Sequence, residues 1–296
     1  MVLLAVVLDA AVGEPRRWHP LVGFGRWAGW LESRLYRPSR GAGILALTIA
    51  CAPFVIASYF LDGLFFDGMP AAVLILYLAI GARSLFEHAA RVAEPLARGE
   101  LEAARAAVGR IVSRHTAELD AAGVSRAAVE SVLENGNDAI FGAIFWFVVL
   151  GVPGVLLYRL VNTLDATWGY RNARYRQFGW AAARLDDLLN YFPARLTALS
   201  YAVVGRASLA LVSWREQGRL WESPNAGPVM AAGAGALALR LGGLALYHGQ
   251  WRQRPWLGAG REPEPADIDR AVALVRRALL LWLVVLVLVD GVLLHA

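Results

Sequence analysis

The chain has 296 residues, 57% of them hydrophobic and only 18% charged, and its mean hydropathy of +0.46 is too high for an ordinary soluble domain and points to a membrane protein. All 29 basic residues are arginine against 24 acidic ones, so the net charge is +5, and the absence of lysine excludes a P-loop lysine, a lysine Schiff base and a lysine general base. One cysteine, Cys51, and five scattered histidines exclude a disulfide framework and a cysteine or histidine metal site, and no compact basic motif suggests nucleic acid.

The first apolar run, MVLLAVVLDAAV, is short for a full span and is interrupted by Asp9. It reads as a membrane helix whose Asp9 faces protein, since it lacks the charged n-region and cleavage site of a signal peptide. The next segment, GEPRRWHPLVGFGRWAGWLESRLYRPSR, carries six arginines, four glycines and three tryptophans and reads as interface-hugging and cytoplasmic. His19, before Pro20, reads as a packing or hydrogen-bonding histidine. Residues 41–61 are long and apolar enough to span, DGLFFDGMP reads as the outer turn, and residues 70–82 bring the chain back to Arg83. Residues 83–125 predict two amphipathic helices divided by Pro95 and Gly99.

Residues 139–161, AIFGAIFWFVVLGVPGVLLYRLV, have arginine-rich flanks on both sides, which a single pass would place on opposite faces of the bilayer. The GVPG at their middle predicts a broken or re-entrant hairpin instead. Residues 196–214 and 228–247 read as apolar segments holding one buried arginine each, Arg206 and Arg240, and residues 278–294 as a final span. The expectation is a single all-α, polytopic integral membrane domain over residues 1–296, with cytoplasmic amphipathic helices and broken or re-entrant segments.

The chemistry concentrates between Arg126 and Asn190. In a helical RAAVESVLENGND, Glu130, Glu134 and Asp138 fall at i, i+4 and i+8 on one face, where like charges cost a few tenths of a kcal/mol per pair. Such a face suits Mg²⁺, a hard cation that takes oxygen ligands and keeps waters for a phosphate-bearing substrate. The same spacing also suits a solvated acidic face paired with arginines. Beyond the apolar run come Asn162, Asp165, Asp186, Asp187 and Asn190, with Arg159, Arg171, Arg174 and Arg184 among them. Carboxylates beside guanidinium groups make a cradle for Mg²⁺ and phosphate, because arginine binds phosphate oxygens bidentately. Arginines meeting lipid headgroups within an interfacial aromatic belt are the alternative.

The motifs RAAVESVLEN..D, FGAIFW, YR.VNTLDA..GYRN.RY..FGWAAARLDDLLN..PARLTAL and SPNAG resemble the CobD/CbiB family of cobalamin biosynthesis, the adenosylcobinamide-phosphate synthases. The resemblance runs from LDAAVGEPRRWHPLVGFG to about residue 261. It implies ATP-dependent amide formation between the corrinoid adenosylcobyric acid and an aminoalcohol phosphate such as aminopropanol phosphate. It further implies Mg²⁺ as cofactor, ATP as co-substrate, the inner cell membrane with the site facing the cytoplasm, and room for partner membrane enzymes of the same pathway. The motif carries Glu130, Glu134, Asp138, Asp165, Asp186 and Asp187 as catalytic carboxylates, the first three as metal ligands. Arg159, Asn162, Arg171, Asn172, Arg174, Arg184, Asn190 and Asn225 fall to substrate binding. This sequence departs from the family pattern at Glu14 and His115, each in place of aspartate, at Gly136-Asn137 in place of a hydroxyl-bearing pair, and at Met230 in place of an acid. Two other readings use similar residues: a non-catalytic membrane regulatory relative, and an intramembrane Mg²⁺-dependent prenyltransferase.

Overall fold

The computed structural model describes residues 1–15, 19–62, 69–170, 172–247 and 249–295. In chain order the helices are α1 (Val2–Val12), α2 (Pro20–Leu35), α3 (Arg40–Asp62), α4 (Met69–Ala79), α5 (Ala82–Ala97), α6 (Leu101–Val108) and α7 (Ala121–Gly136). A π-helical turn, Asn137–Phe141, leads into α8 (Gly142–Trp168). Then follow α9 (Tyr175–Phe178), α10 (Trp180–Val204), α11 (Ala207–Gln217) and α12 (Ala226–Leu237). A two-stranded antiparallel hairpin, β1 (Leu241–Tyr247) and β2 (Gln250–Leu257), precedes the last helix, α13 (Ala266–His295). Among the described residues four helical stretches are long and apolar enough to cross a membrane: Arg40–Phe60, Met69–Ala97, Ala121–Trp168 and Ala266–Val292. The outer turn expected at residues 62–70 lies largely outside the described residues.

By their internal packing the residues form two compact units, Met1–Arg83 with Asp138–Tyr191, and Ser84–Asn137 with Phe192–Ala296. In the first unit α1 packs on α4, and α2, α3 and α4 each pack on α8. Asp9 is 1% exposed and accepts the Arg83 main-chain N–H at 2.9 Å, so this interrupting acid does face protein. The Arg83 guanidinium then donates to the carbonyls of Ala10 and Ala11, closing the C-terminal end of α1. The ring Nδ1 of His19 accepts from Leu21 N at 3.2 Å and caps α2, a hydrogen-bonding role as expected.

The decisive local feature is the break in α8. Gly151 has φ 64° and ψ −148°, a backbone region open to glycine, and Pro153 biases Val152 away from helical geometry. Around that point the chain doubles back. The Tyr158 hydroxyl reaches the Asp138 carbonyl at 3.1 Å, and a Cβ on Gly142 would lie 2.1 Å from that hydroxyl. Gly154 is pressed against the Trp146 carbonyl in the same way, at 2.5 Å from an added Cβ. At the helical rise per residue, Gly142–Leu150 is about 14 Å long and Val152–Trp168 about 26 Å, each short of the roughly 30 Å hydrocarbon core. The stretch Ala121–Trp168 is long and apolar enough to cross a membrane, and it reverses at Gly151 in the hairpin that GVPG predicts.

In the second unit every residue of α12 is buried, and neighbours close on its small side chains. Added Cβ atoms would sit 2.5 Å from the Leu209 carbonyl at Gly235 and 2.7 Å from the Leu133 side chain at Gly233. The helix stops at Ala238, which adopts φ 54°, and β1 begins three residues later. The apolar segment expected over 228–247 is thus half helix and half strand, and Arg240 is not buried but 46% exposed. Residues 196–214 likewise divide at Gly205 and Arg206, with Arg206 exposed at the start of α11. Pro95 stays inside α5; the division of that region falls instead at Gly99, whose φ of 76° glycine accommodates.

Gly142→Ala should cost about 1–3 kcal/mol, since Tyr158 is buried and held, and Gly151→Ala a similar amount from backbone strain. Gly25→Ala, where an added Cβ meets nothing within 4 Å, should be neutral or stabilising. Thermal unfolding in detergent compares the three; equal stability of the Gly142 and Gly25 variants would remove the tight hairpin packing.

Candidate functional site

In the first unit the second arm of α8 and the start of α10 bring together the polar residues the sequence singles out. Arg159 and Asn162 lie one turn apart on α8, while Asp186 and Asn190 lie one turn apart on α10. Asn162 Nδ2 donates to Asp186 Oδ1 at 3.3 Å and Asn190 Nδ2 donates to Asp186 Oδ2 at 3.1 Å. Tyr158, fully buried, places its hydroxyl 3.0 Å from Asn190 Oδ1 and 3.1 Å from the Asp138 carbonyl; its single proton serves one acceptor at a time. Arg159 Nη1 donates to the Asp138 carbonyl at 3.2 Å and contacts Asn162 Oδ1 at 3.4 Å. Its Nε is buried and finds no partner among the described residues. The π turn at Asn137–Phe141 presents the Asp138 carbonyl to both Tyr158 and Arg159.

The Asp186 carboxyl is pushed up to about 6, chiefly by burial and further by the neighbouring Asp187, against the pull of the Asn162 and Asn190 amides and Arg159. Around this network the other expected residues take separate places. Asp187 pairs with Arg184 at 3.4 Å. Asp165 uses its carbonyl to accept from Gly169 N at 2.7 Å, and its Oδ1 would lie 2.0 Å from any Cβ at residue 169. Asn172 Oδ1 accepts at 2.9 Å from the N–H of Tyr175, the first residue of α9. Arg174 donates to Glu32 at 2.7 Å and stacks over Tyr36, so its fork is engaged by α2. Arg171 lies outside the described residues.

Glu130, Glu134 and Asn225 belong to the second unit. Glu130 is 3% exposed, and both of its oxygens are taken. Arg114 donates to Oε2, Arg254 donates to Oε2 at 2.9 Å and to Oε1 at 3.3 Å, and Gly242 N donates to Oε1 at 2.7 Å. This clamp ties α7 to the β1–β2 hairpin, and through it both oxygens of the Glu130 carboxylate are engaged within the protein. Among the described residues no group of three or more His, Cys, Asp or Glu side chains is gathered to hold a metal ion. Glu134 follows one turn along α7, half-buried, and Asn225 accepts from Arg195 Nη1 at 2.6 Å. At the departures from the family pattern, Gly136 admits no side chain, because a Cβ would meet the Tyr201 hydroxyl at 2.4 Å. Asn137 accepts from the Thr197 hydroxyl at 3.0 Å, and Met230 is buried in α12.

Three functional partners escape a reading of spacing. Tyr158 stands beside Arg159 in the motif but has no charge to mark it, and Arg114 and Arg254 lie 16 and 124 residues from the glutamate they hold.

Fold and site define a polytopic helical membrane protein in which a re-entrant hairpin and a following helix frame a carboxylate–amide–arginine cluster. The family described as CobD/Cbib protein matches residues 2–275, and the chain belongs to this CobD/CbiB family. It is 56% identical to the "Cobalamin biosynthesis protein CobD" of Chromobacterium violaceum, over 94% of this chain and 92% of that protein. The protein of the same description from Stutzerimonas stutzeri is 55% identical, covering 96% of this chain and 95% of its own. That from Mycobacterium tuberculosis is 42% identical, covering 93% and 90%. No solved structure matches the chain.

Two outcomes follow. Glu130→Ala should destabilise the protein by about 3–5 kcal/mol, because Arg114 and Arg254 would be left as buried, uncompensated charges; unfolding in detergent measures it, and a neutral change would remove the clamp. The raised Asp186 group means the folded state holds a proton that the unfolded state has released between about pH 4 and about pH 6. Stability should therefore fall as pH rises through that window. The slope should flatten in Asp186→Asn, and an unchanged slope would show that Asp186 does not titrate there.

Proposed function

We propose that the protein is an ATP-dependent amide-forming ligase of cobalamin biosynthesis, joining adenosylcobyric acid to an aminoalcohol phosphate such as aminopropanol phosphate. The observation that carries this reading is the convergence on Asp186 of two amides, with Tyr158 and Arg159 behind them, in a chain matching the CobD/CbiB family over residues 2–275. The corrinoid carboxylate oxygen attacks the γ-phosphorus, the bond to ADP breaks, and an acyl phosphate forms. The amine of the second substrate then attacks the acyl carbon, phosphate leaves, and the nitrogen releases a proton to give the amide.

Arg159 suits the first half of this chemistry, since its buried Nε is an unused donor for a phosphoryl oxygen. Arg184 adds a second, more exposed guanidinium beside Asp187. Asn162 and Asn190 hold the Asp186 carboxylate in one orientation, and Tyr158 fixes Asn190 in turn. The donor set fits Mg²⁺ at Asp186 and Asp187, because this ion is usually held by one or two carboxylates with phosphates and water completing its shell. Bound there it would neutralise phosphate charge. The apolar arms of the hairpin keep bulk water from a hydrolysable acyl phosphate. The arginine-rich flanks favour a cytoplasmic position for the cluster, and partner membrane enzymes would then meet it from that side. Family membership favours amide ligation over prenyl transfer.

Purified protein in nanodiscs, given ATP, Mg²⁺, adenosylcobyric acid and aminopropanol phosphate, should release ADP and form the amide product, detected by mass spectrometry. Asp186→Asn and Arg159→Ala should each slow turnover by roughly 10²–10³ with little change in corrinoid binding. Corrinoid binding without ATP consumption for any aminoalcohol phosphate would overturn the ligase and favour a regulatory protein on the same fold.

A further inference from the structure

Where α2 gives way to α3, arginine collects on the surface of the first unit. Arg34 lies in the last turn of α2, Arg37 in the link that follows, and Arg40 is the first residue of α3; all three are exposed. Arg176 of α9 is exposed as well. α9 is held at the same place, because the Tyr175 hydroxyl donates to Glu32 at 3.1 Å and Arg174 stacks over Tyr36. Glu32, the acid of α2, is thereby spent, since Arg174 also donates to it at 2.7 Å. Among the described residues Arg34, Arg37, Arg40 and Arg176 meet no carboxylate within ion-pair distance. Their positive charge stands without a counter-ion.

Two of these guanidinium groups lie instead on indole rings, Arg34 at 5.3 Å from the Trp30 ring centre and Arg40 at 4.8 Å from that of Trp180. Both rings reach the surface, being 48% and 36% exposed. Stacking holds a guanidinium flat and leaves its in-plane N–H donors available to an anion. Arg40 also opens Arg40–Phe60, a stretch long and apolar enough to cross a membrane. A charged side chain at the end of such a stretch belongs among the headgroups, where tryptophan concentrates too. Before it, α2 buries Phe24, Ala28 and Leu31, while its exposed residues include Arg26, Trp30 and Arg34 and no acid. That is the pattern of a helix lying along a membrane surface. A nucleotide offers the same phosphate oxygens, but exposed tryptophans at the end of a spanning stretch stand where lipid phosphates already are. We propose that this surface binds anionic phospholipid, its headgroup phosphates seated on Arg34, Arg37, Arg40 and Arg176 beside the Trp30 and Trp180 rings. The interaction does not rest on the ligase reading, and it holds the α2–α3 link and α9 to the membrane.

The test titrates the full chain, purified in a mild detergent, with phosphatidylglycerol or with phosphatidylcholine of the same acyl chains. Native mass spectrometry counts the lipids retained. The wild-type protein should hold phosphatidylglycerol at least about tenfold more tightly, since each arginine beside an anionic surface contributes roughly a fivefold factor. Combining Arg34→Gln, Arg37→Gln and Arg40→Gln should erase that preference and leave retention of phosphatidylcholine unchanged. Arg215→Gln with Arg219→Gln, both exposed in the second unit, should keep it. Equal retention of the two lipids by the wild type overturns the proposal. So does a preference that survives the triple variant, or one that the control pair removes equally. Raising sodium chloride from about 0.05 M to about 0.5 M should abolish the wild-type preference through screening; its persistence overturns the proposal without any variant. Loss of ATP binding in the triple variant, with lipid retention intact, would assign these arginines to a soluble phosphate and overturn the lipid site as well.

Discussion

In hydrocarbon no water satisfies a main-chain N–H or C=O, so a chain that turns within the membrane must turn where protein covers it. The half-buried Gly151 breaks α8 between two apolar arms, and much of the first unit follows from that break. Once the chain reverses, the two arms must lie close enough to cover each other. That closeness is why glycine stands at 142 and 154, opposite Tyr158 and Trp146. It is also why the Asp138 carbonyl, at the base of the first arm, meets Tyr158 and Arg159 at the base of the second. The polar cluster is thus a by-product of the turn, assembled where two helices that begin and end on the same side come together.

Charge inside this protein is handled in two distinct ways. Asp9, Glu130 and Asp267 are nearly inaccessible, and each is answered by arginine or by main-chain N–H groups. Asp267 alone takes Arg261 at 2.6 Å, Arg270, and the Glu264 N–H at 2.8 Å, and so secures the entry to α13. These are closed arrangements, whose loss costs stability. Asp186 is different: its direct partners are neutral amides, and the nearest guanidinium of the network stands behind them with a donor to spare. A carboxylate restrained by amides is left without the charge pairing that closes the other three, and that distinction is sharper than any difference in burial.

What the sequence revealed tracks how local each cause is. Gly151 and Pro153 are adjacent, so the hairpin is visible in four letters, and Asp9 within an apolar run predicts its own burial. The pairing of Asn162 with Asp186 and Asn190 is legible as residue types in one motif. The clamp on Glu130 is not legible, because its partners come from a distant turn and a strand, and spacing along α7 says nothing of either. β1 passes for part of an apolar segment because LGGLALY is as apolar as a membrane helix; Gly242 and Gly243, both with positive φ, set it apart. Arg240 and Arg206 looked buried from hydropathy averaged over windows that straddle two elements.

The reversal at Gly151 also settles an electrostatic question. The first arm ends there and the second begins there, so the negative pole of one helix dipole meets the positive pole of the next. Opposed partial charges at one point largely cancel, and the tip of the hairpin needs no ion or buried acid to quiet it. Leu150, Val152 and Pro153 can therefore flank the turn without a charged neighbour in sequence. In broken helices whose separated ends point at a substrate, by contrast, the helix termini themselves hold the charged group. Here the field around the base of the hairpin comes from its side chains, which single substitutions can add or remove without disturbing the turn.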